Sequence, residues 1–253
     1  MLKVSNIHLK FGRTPILNGV DFSVNKGEQL GIIGPNGSGK TTLFNCLSGF
    51  LFPETSTITF GGKDITKHAA HEKARLGMGR VFQNFGIFRE LTVLQNIVVA
   101  LEGKKRGIVP PWSSRHKRNC ESAREYLHMV GLESKENDKA GSLSGGQMRL
   151  LEIARAIAAE SELFLLDEPT AGVSPKMKGE VEQILMKLRD LGKTVLVIEH
   201  DLHFIQRLCE RIVVLDAGRV LMDGSPENVR RDPRLQEIYF GHQSQSQSST
   251  AAS

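Results

Sequence analysis

The sequence predicts an α/β fold with a mostly parallel sheet at its core, an N-terminal antiparallel β part and an inserted helical subdomain. Three observations lead there. A glycine-rich loop at residues 34–42 lies between an apolar run that suits a buried strand and a stretch that suits a helix. Over residues 163–221, strand-like and helix-like segments alternate, as in a parallel sheet covered by helices. Between about residues 85 and 158, apolar residues instead recur at helical spacing.

Taken in order, residues 2–9 and 20–24 read as strands, followed by the apolar run Gln29-Leu30-Gly31-Ile32-Ile33. A helix is expected over residues 41–48. Residues 57–60 form a further strand that Gly61-Gly62 ends in a tight turn. The helical stretch carries Leu91, Leu94, Ile97, Val98 and Leu101, then Ala123, Leu127 and Val130. Leu163-Phe164-Leu165-Leu166 is a short buried strand, and residues 194–198 make another. The Ser- and Gln-rich residues 242–253 are too polar to pack and are expected to be disordered. No internal repeat is visible, so one unit is expected and not a tandem pair.

Three motifs carry chemistry. Gly34-Pro35-Asn36-Gly37-Ser38-Gly39-Lys40-Thr41-Thr42 has the form G-x-x-x-x-G-K-[ST] in a strand-to-helix setting, which marks a nucleoside triphosphate site of the P-loop type. Gly34, Gly37 and Gly39 let backbone N–H groups converge where a Cβ would clash. Lys40 can reach β- and γ-phosphate oxygens, and the Thr41 hydroxyl can ligate Mg²⁺. The second motif, Leu143-Ser144-Gly145-Gly146-Gln147, puts a hydroxyl and bare backbone donors at a helix start, another anion-binding arrangement. The third places Asp167 and Glu168 at the C-terminal end of a strand, where ligands gather in open α/β sheets. Asp167 suits the holding of Mg²⁺, and Glu168 suits a general base or water-orienting group.

Together these motifs resemble those of ABC ATPases over residues 2–241, nearly the whole chain. The resemblance implies one ABC ATPase cassette at residues 1–241, with its helical subdomain at about 85–158, that binds and hydrolyses ATP with Mg²⁺. Phe11 matches the aromatic on which adenine stacks, although a lone aromatic ending a strand equally suits a core. Gln83 matches the glutamine near Mg²⁺ and the attacking water, and His200 the histidine that contacts the γ-phosphate. Ser144 to Gln147 are then expected to complete the nucleotide site of a second subunit. Ser174 stands where the family often has aspartate.

Residues 75–84, Leu91-Thr92-Val93-Leu94-Gln95-Asn96-Ile97, Ile198-Glu199-His200-Asp201 and residues 237–241 further resemble ATPases of branched-chain and hydrophobic amino-acid uptake transporters. Urea, amide and lipopolysaccharide transporter ATPases share much of this pattern. The resemblance implies a second ATPase subunit, identical or paralogous, transmembrane permease subunits and a substrate-binding protein. It also implies a position on the cytoplasmic face of the membrane, held through the permease. The alternative from a different class is a soluble ABC-type ATPase acting on DNA or ribosomes. Such proteins usually interrupt the cassette with coiled coils or zinc modules, or join two cassettes, and this sequence has neither feature.

Composition agrees. The chain has 253 residues, 40% of them hydrophobic, and lacks an extended apolar membrane span. No uninterrupted apolar stretch follows Met1-Leu2-Lys3-Val4, so a secretory leader is not expected. Cys46, Cys120 and Cys209 are isolated, which argues against a zinc site or disulfide framework and for a reducing compartment. A net charge of +5 does not by itself indicate nucleic acid, and none is expected as a partner. The basic residues flanking Pro110-Pro111-Trp112 could lie near anionic lipid or nucleic acid, but such a run is more often a solvated loop before a helix.

Overall fold

A computed structural model of the chain describes residues 1–82, 86–103 and 109–235. The chain divides into two compact units, one formed by residues 1–69 and 196 onward, the other by residues 70–195.

The first unit opens with β1 (Leu2–Phe11), β2 (Thr14–Val24), β3 (Gln29–Ile33), α1 (Lys40–Leu47), β4 (Thr55–Phe60) and β5 (Lys63–Asp64). Strands in the order β2-β1-β4-β5 form the antiparallel sheet expected at the N-terminus. Alternation drives it, with Leu2, Val4, Ile7 and Leu9 of β1 buried between solvent-facing neighbours. β2 starts at Thr14, earlier than the apolar pattern suggested. Asn18-Gly19 resembles a turn in sequence, but register shifts along the β1–β2 ladder absorb it without breaking the strand. β3 is buried at all five positions, as its near-continuous apolar run requires.

The second unit contains α2 (Ala70–Arg75), β6 (Met78–Val81), α3 (Val93–Gly103), α4 (Ser114–Met129), α5 (Gly145–Ala158), β7 (Leu163–Asp167) and α6 (Pro175–Asp190). Helices α3, α4 and α5 pack on one another within the predicted helical stretch, burying Ile97, Ala123, Leu127 and Leu151. α4 is capped by Ser113, whose Oγ accepts from the His116 N–H at 3.2 Å. β6 and β7 pair in parallel, Met78 opposite Leu163 and Val81 opposite Leu166.

β8 (Thr194–Ile198) carries the chain from the second unit back to the first, where α7 (Leu202–Leu208), β9 (Arg211–Asp216), β10 (Arg219–Gly224) and α8 (Pro226–Arg231) follow. β9 runs parallel to β3, from Leu30 opposite Arg211 to Ile33 opposite Val214. β10 folds back antiparallel on β9. The predicted polar tail at 242–253, residues 237–241 and part of the basic stretch lie outside the described residues. Among the described residues, no helix is long and apolar enough to cross a membrane.

Candidate functional site

In the first unit the loop between β3 and α1 takes its shape from backbone constraints. Gly34 has φ 153°, and a Cβ there would stand 2.0 Å from the Leu215 carbonyl oxygen, so only glycine fits. Gly39 caps α1 at φ 101°, and α1 has no side-chain cap, which leaves its first turn of N–H donors to anions. The loop is fastened to the β9–β10 turn by the Gly218 N–H, which donates to the Ser38 carbonyl at 3.0 Å. Lys40 is buried, and its Nζ donates to the carbonyl oxygens of Gly34 at 2.8 Å and Pro35 at 2.9 Å. The ammonium thus folds back across the loop that precedes it. Asn36, Gly37 and Thr41 are exposed, and Thr42 is half-buried.

His200 and Phe11 also belong to this unit. His200 lies just beyond β8 with an exposed ring, its N–H donating to Glu199 Oε2 at 3.2 Å. Phe11 ends β1 opposite Thr14 and is 53% exposed, which rules out the core reading and leaves its π-face open.

In the second unit the two acids at the end of β7 are held in different ways. Asp167 is the last strand residue and is buried. Its Oδ2 receives the Arg80 Nη2 at 3.2 Å, an ion pair between side chains only 7% and 2% exposed. Arg80 sits on β6 opposite Leu165, and its guanidinium also lies 4.8 Å from the centroid of the Phe82 ring. Sequence reading missed this arginine, because the pairing depends on the parallel register of two strands distant in the chain. Glu168, half-buried, has φ 48° in the left-handed region, rare for a residue with a side chain. Its carbonyl accepts from the Ala171 N–H at 3.1 Å as the chain turns towards α6.

The start of α5 is a complete capping box. Ser144 Oγ accepts from the Gln147 N–H at 3.3 Å, and Gln147 Oε1 accepts from the Ser144 N–H at 3.0 Å. Ser144 and Gly145 are exposed, while Gly146 is buried against α6. A Cβ on Gly146 would fall 2.6 Å from Met177 Cγ and 2.9 Å from Met177 Cβ, so this glycine serves helix packing as well as backbone access. Ser174, at which the resemblance to ABC ATPases often implies aspartate, caps α6 by accepting from the Met177 N–H at 3.4 Å ahead of Pro175. Serine and aspartate are both good caps, so the helix start survives the difference.

Gln83 lies outside the described residues, but the residues on either side of 83–85 are fastened to α5. Glu152 Oε1 accepts from the N–H groups of Phe82 at 2.9 Å and Gly86 at 3.0 Å. Arg149 donates to the Phe82 carbonyl and to Glu152 Oε2, the latter at 2.8 Å, while Arg155 donates to the Gly86 carbonyl. Burial pushes the Glu152 carboxyl above its ordinary range, and the two N–H donors and the arginine charges oppose that rise.

The donor set suits nucleotide with Mg²⁺. Among the described residues, no three His, Cys, Asp or Glu side chains are grouped to hold a metal unaided. Mg²⁺ needs only one or two carboxylates when phosphates complete its shell, and the buried Asp167 at the end of β7 fits that requirement. The glycine-shaped loop at 34–39 has the backbone form that phosphates require.

The family described as ABC transporter matches residues 17–171. The chain is 37% identical to the high-affinity branched-chain amino acid transport ATP-binding protein BraF of Pseudomonas aeruginosa, covering 95% of this chain and 98% of that one. Among solved structures it is similar to the ADP conformation of MJ1267, an ATP-binding cassette of an ABC transporter. The TM-score there is 0.84 at 35% identity, over 95% of this chain and 98% of that chain. It is also similar to a dimeric post-hydrolysis state of the cassette MJ0796 bound to ADP and Pi, with TM-score 0.78 and 32% identity over 89% and 99% of the two chains.

Proposed function

The chain belongs to the ABC transporter family, and from that premise we propose that it is the ATP-hydrolysing subunit of a transporter importing branched-chain or other hydrophobic amino acids. The observation that carries the reading is the loop at residues 34–42. Its positive-φ glycines, uncapped helix and folded-back lysine form a phosphate cradle in a chain resembling BraF along almost its whole length.

The residues divide the work. Lys40 and the N–H groups at the start of α1 bind the β- and γ-phosphates, and Phe11 stacks on adenine. Thr41, Gln83 and Asp167 would hold Mg²⁺, which when bound neutralises charge on the phosphate oxygens. Glu168 takes a proton from the attacking water, and His200 steadies the γ-phosphate. Ser144, Gly145 and Gly146 serve the nucleotide of a second cassette, identical or paralogous. Permease subunits hold the pair at the cytoplasmic face of the membrane, and a substrate-binding protein supplies the amino acid.

Glu168→Gln separates chemistry from binding. The amide keeps the shape but loses charge and base strength, so turnover is expected to fall at least about a hundredfold while ATP still binds. Phosphate release measured beside ATP affinity checks this. Hydrolysis at the parental rate would remove Glu168 as the base.

A further inference from the structure

Asp167 is the carboxylate assigned to Mg²⁺, yet it already has a cation. Arg80 Nη2 stands 3.2 Å from Asp167 Oδ2, and both side chains are almost wholly withdrawn from water. A carboxylate so buried is costly to keep ionised without a partner. From this pairing we propose that Arg80 is a resident counter-cation of the metal-holding carboxylate, neutralising Asp167 when the divalent ion is away and opposing that ion's return. The inference rests on the assignment of Asp167 to Mg²⁺.

Three features give Arg80 this role in place of a passive contact. A guanidinium does not lose its proton, so it cannot relieve repulsion from an incoming metal by becoming neutral, as a lysine can. Arg80 projects from β6, and its register opposite Leu165 on β7 sets it two residues short of Asp167, close enough to reach along the strand. The guanidinium also has a second station. It lies 4.8 Å from the Phe82 ring centroid and feels the charge of Glu152, so it can shift from the carboxylate without losing all compensation. Arrival of a dication at Asp167 is then an exchange of cations. A single positive charge left close to the metal weakens its hold through Coulomb repulsion in a poorly solvated place.

The test measures metal binding directly. Mn²⁺ binding is followed by electron paramagnetic resonance in the presence of a non-hydrolysable ATP analogue, with parent, Arg80→Met and Arg80→Lys. Removing the charge is expected to tighten Mn²⁺ binding at least about threefold, because repulsion is relieved. Arg80→Lys, which keeps the charge, is expected to stay near the parent. Unchanged or weaker Mn²⁺ binding in Arg80→Met would overturn the proposal, and so would equal tightening in both variants, which would point to shape and not charge. Should Arg80→Met fail to fold, ¹⁵N resonances of the parent's Arg80 guanidinium decide, with Arg80→Lys providing the assignment. They are expected to shift when Mg²⁺ is added to the protein with the ATP analogue, relative to the analogue with chelator, and an unmoved signal would overturn the proposal. Failure of the parent itself to bind Mn²⁺ with the analogue would instead overturn the assignment of Asp167 on which the inference rests.

Discussion

Single residues show where pattern alone stops. Phe11 permitted two sequence readings, and its 53% exposure at the end of β1 decides against the core. Phe11→Ala is therefore expected to leave thermal stability close to the parent while weakening ATP binding by ~1–3 kcal/mol, the scale of base–aromatic stacking. Thermal melts beside titration with a fluorescent nucleotide check both halves. The phosphate loop was legible because its constraint is local: three glycines, a lysine and a threonine at fixed spacing leave few other uses. Arg80 was not, since an arginine four residues after a leucine carries no sign of a carboxylate 87 positions away. Gly146 was half legible. Its place at a helix start was readable, but the need for an absent Cβ comes from Met177 on α6, which only packing reveals.

Among the elements, α5 bears the heaviest duty. Its first turn is a self-contained capping box, and its middle fastens Phe82 and Gly86 through Arg149, Glu152 and Arg155. The amphipathic pattern announced the helix, yet it put no partner to the charged residues, which in a surface helix would face water. Arg149 and Glu152 are instead 1% and 4% exposed. Glu152→Ala strands a buried guanidinium and two N–H groups, so it is expected to cost about 3–5 kcal/mol of stability. Hydrogen exchange at the Phe82 and Gly86 amides should accelerate with it. Urea unfolding and exchange mass spectrometry measure the two effects, and Glu152→Gln, which keeps an acceptor, should recover much of the protection. The expected strand at 20–24 proved too short, because register shifts in the β1–β2 ladder keep Asn18-Gly19 within a strand that starts at Thr14.

For the whole molecule, Ser144 and Gly145 at the start of α5 are exposed, and the proposed function gives them to the nucleotide of a second subunit. Mixing a Lys40→Ala chain with a Ser144→Arg chain tests that arrangement. If the two cassettes are identical, each mixed dimer holds one site with both lesions and one with neither, so hydrolysis should return to about half the parental rate per mixed dimer. Stable mixed dimers with no recovery would place both residues in one chain's own site. The fold class was legible at this scale because alternation and helical spacing are statistical over many residues, whereas the division near residue 70 depends on contacts that no local window contains. The left-handed backbone of Glu168 reaches beyond catalysis. A carboxylate side chain there carries a conformational penalty of about 1–2 kcal/mol that glycine would escape, and asparagine would lessen. With Glu168 as the base proposed above, heat resistance and turnover pull residue 168 in opposite directions. A library screened only for survival at high temperature would drift towards glycine at this position and return well-folded cassettes that no longer work, so any programme to harden this protein must select for hydrolysis in the same round.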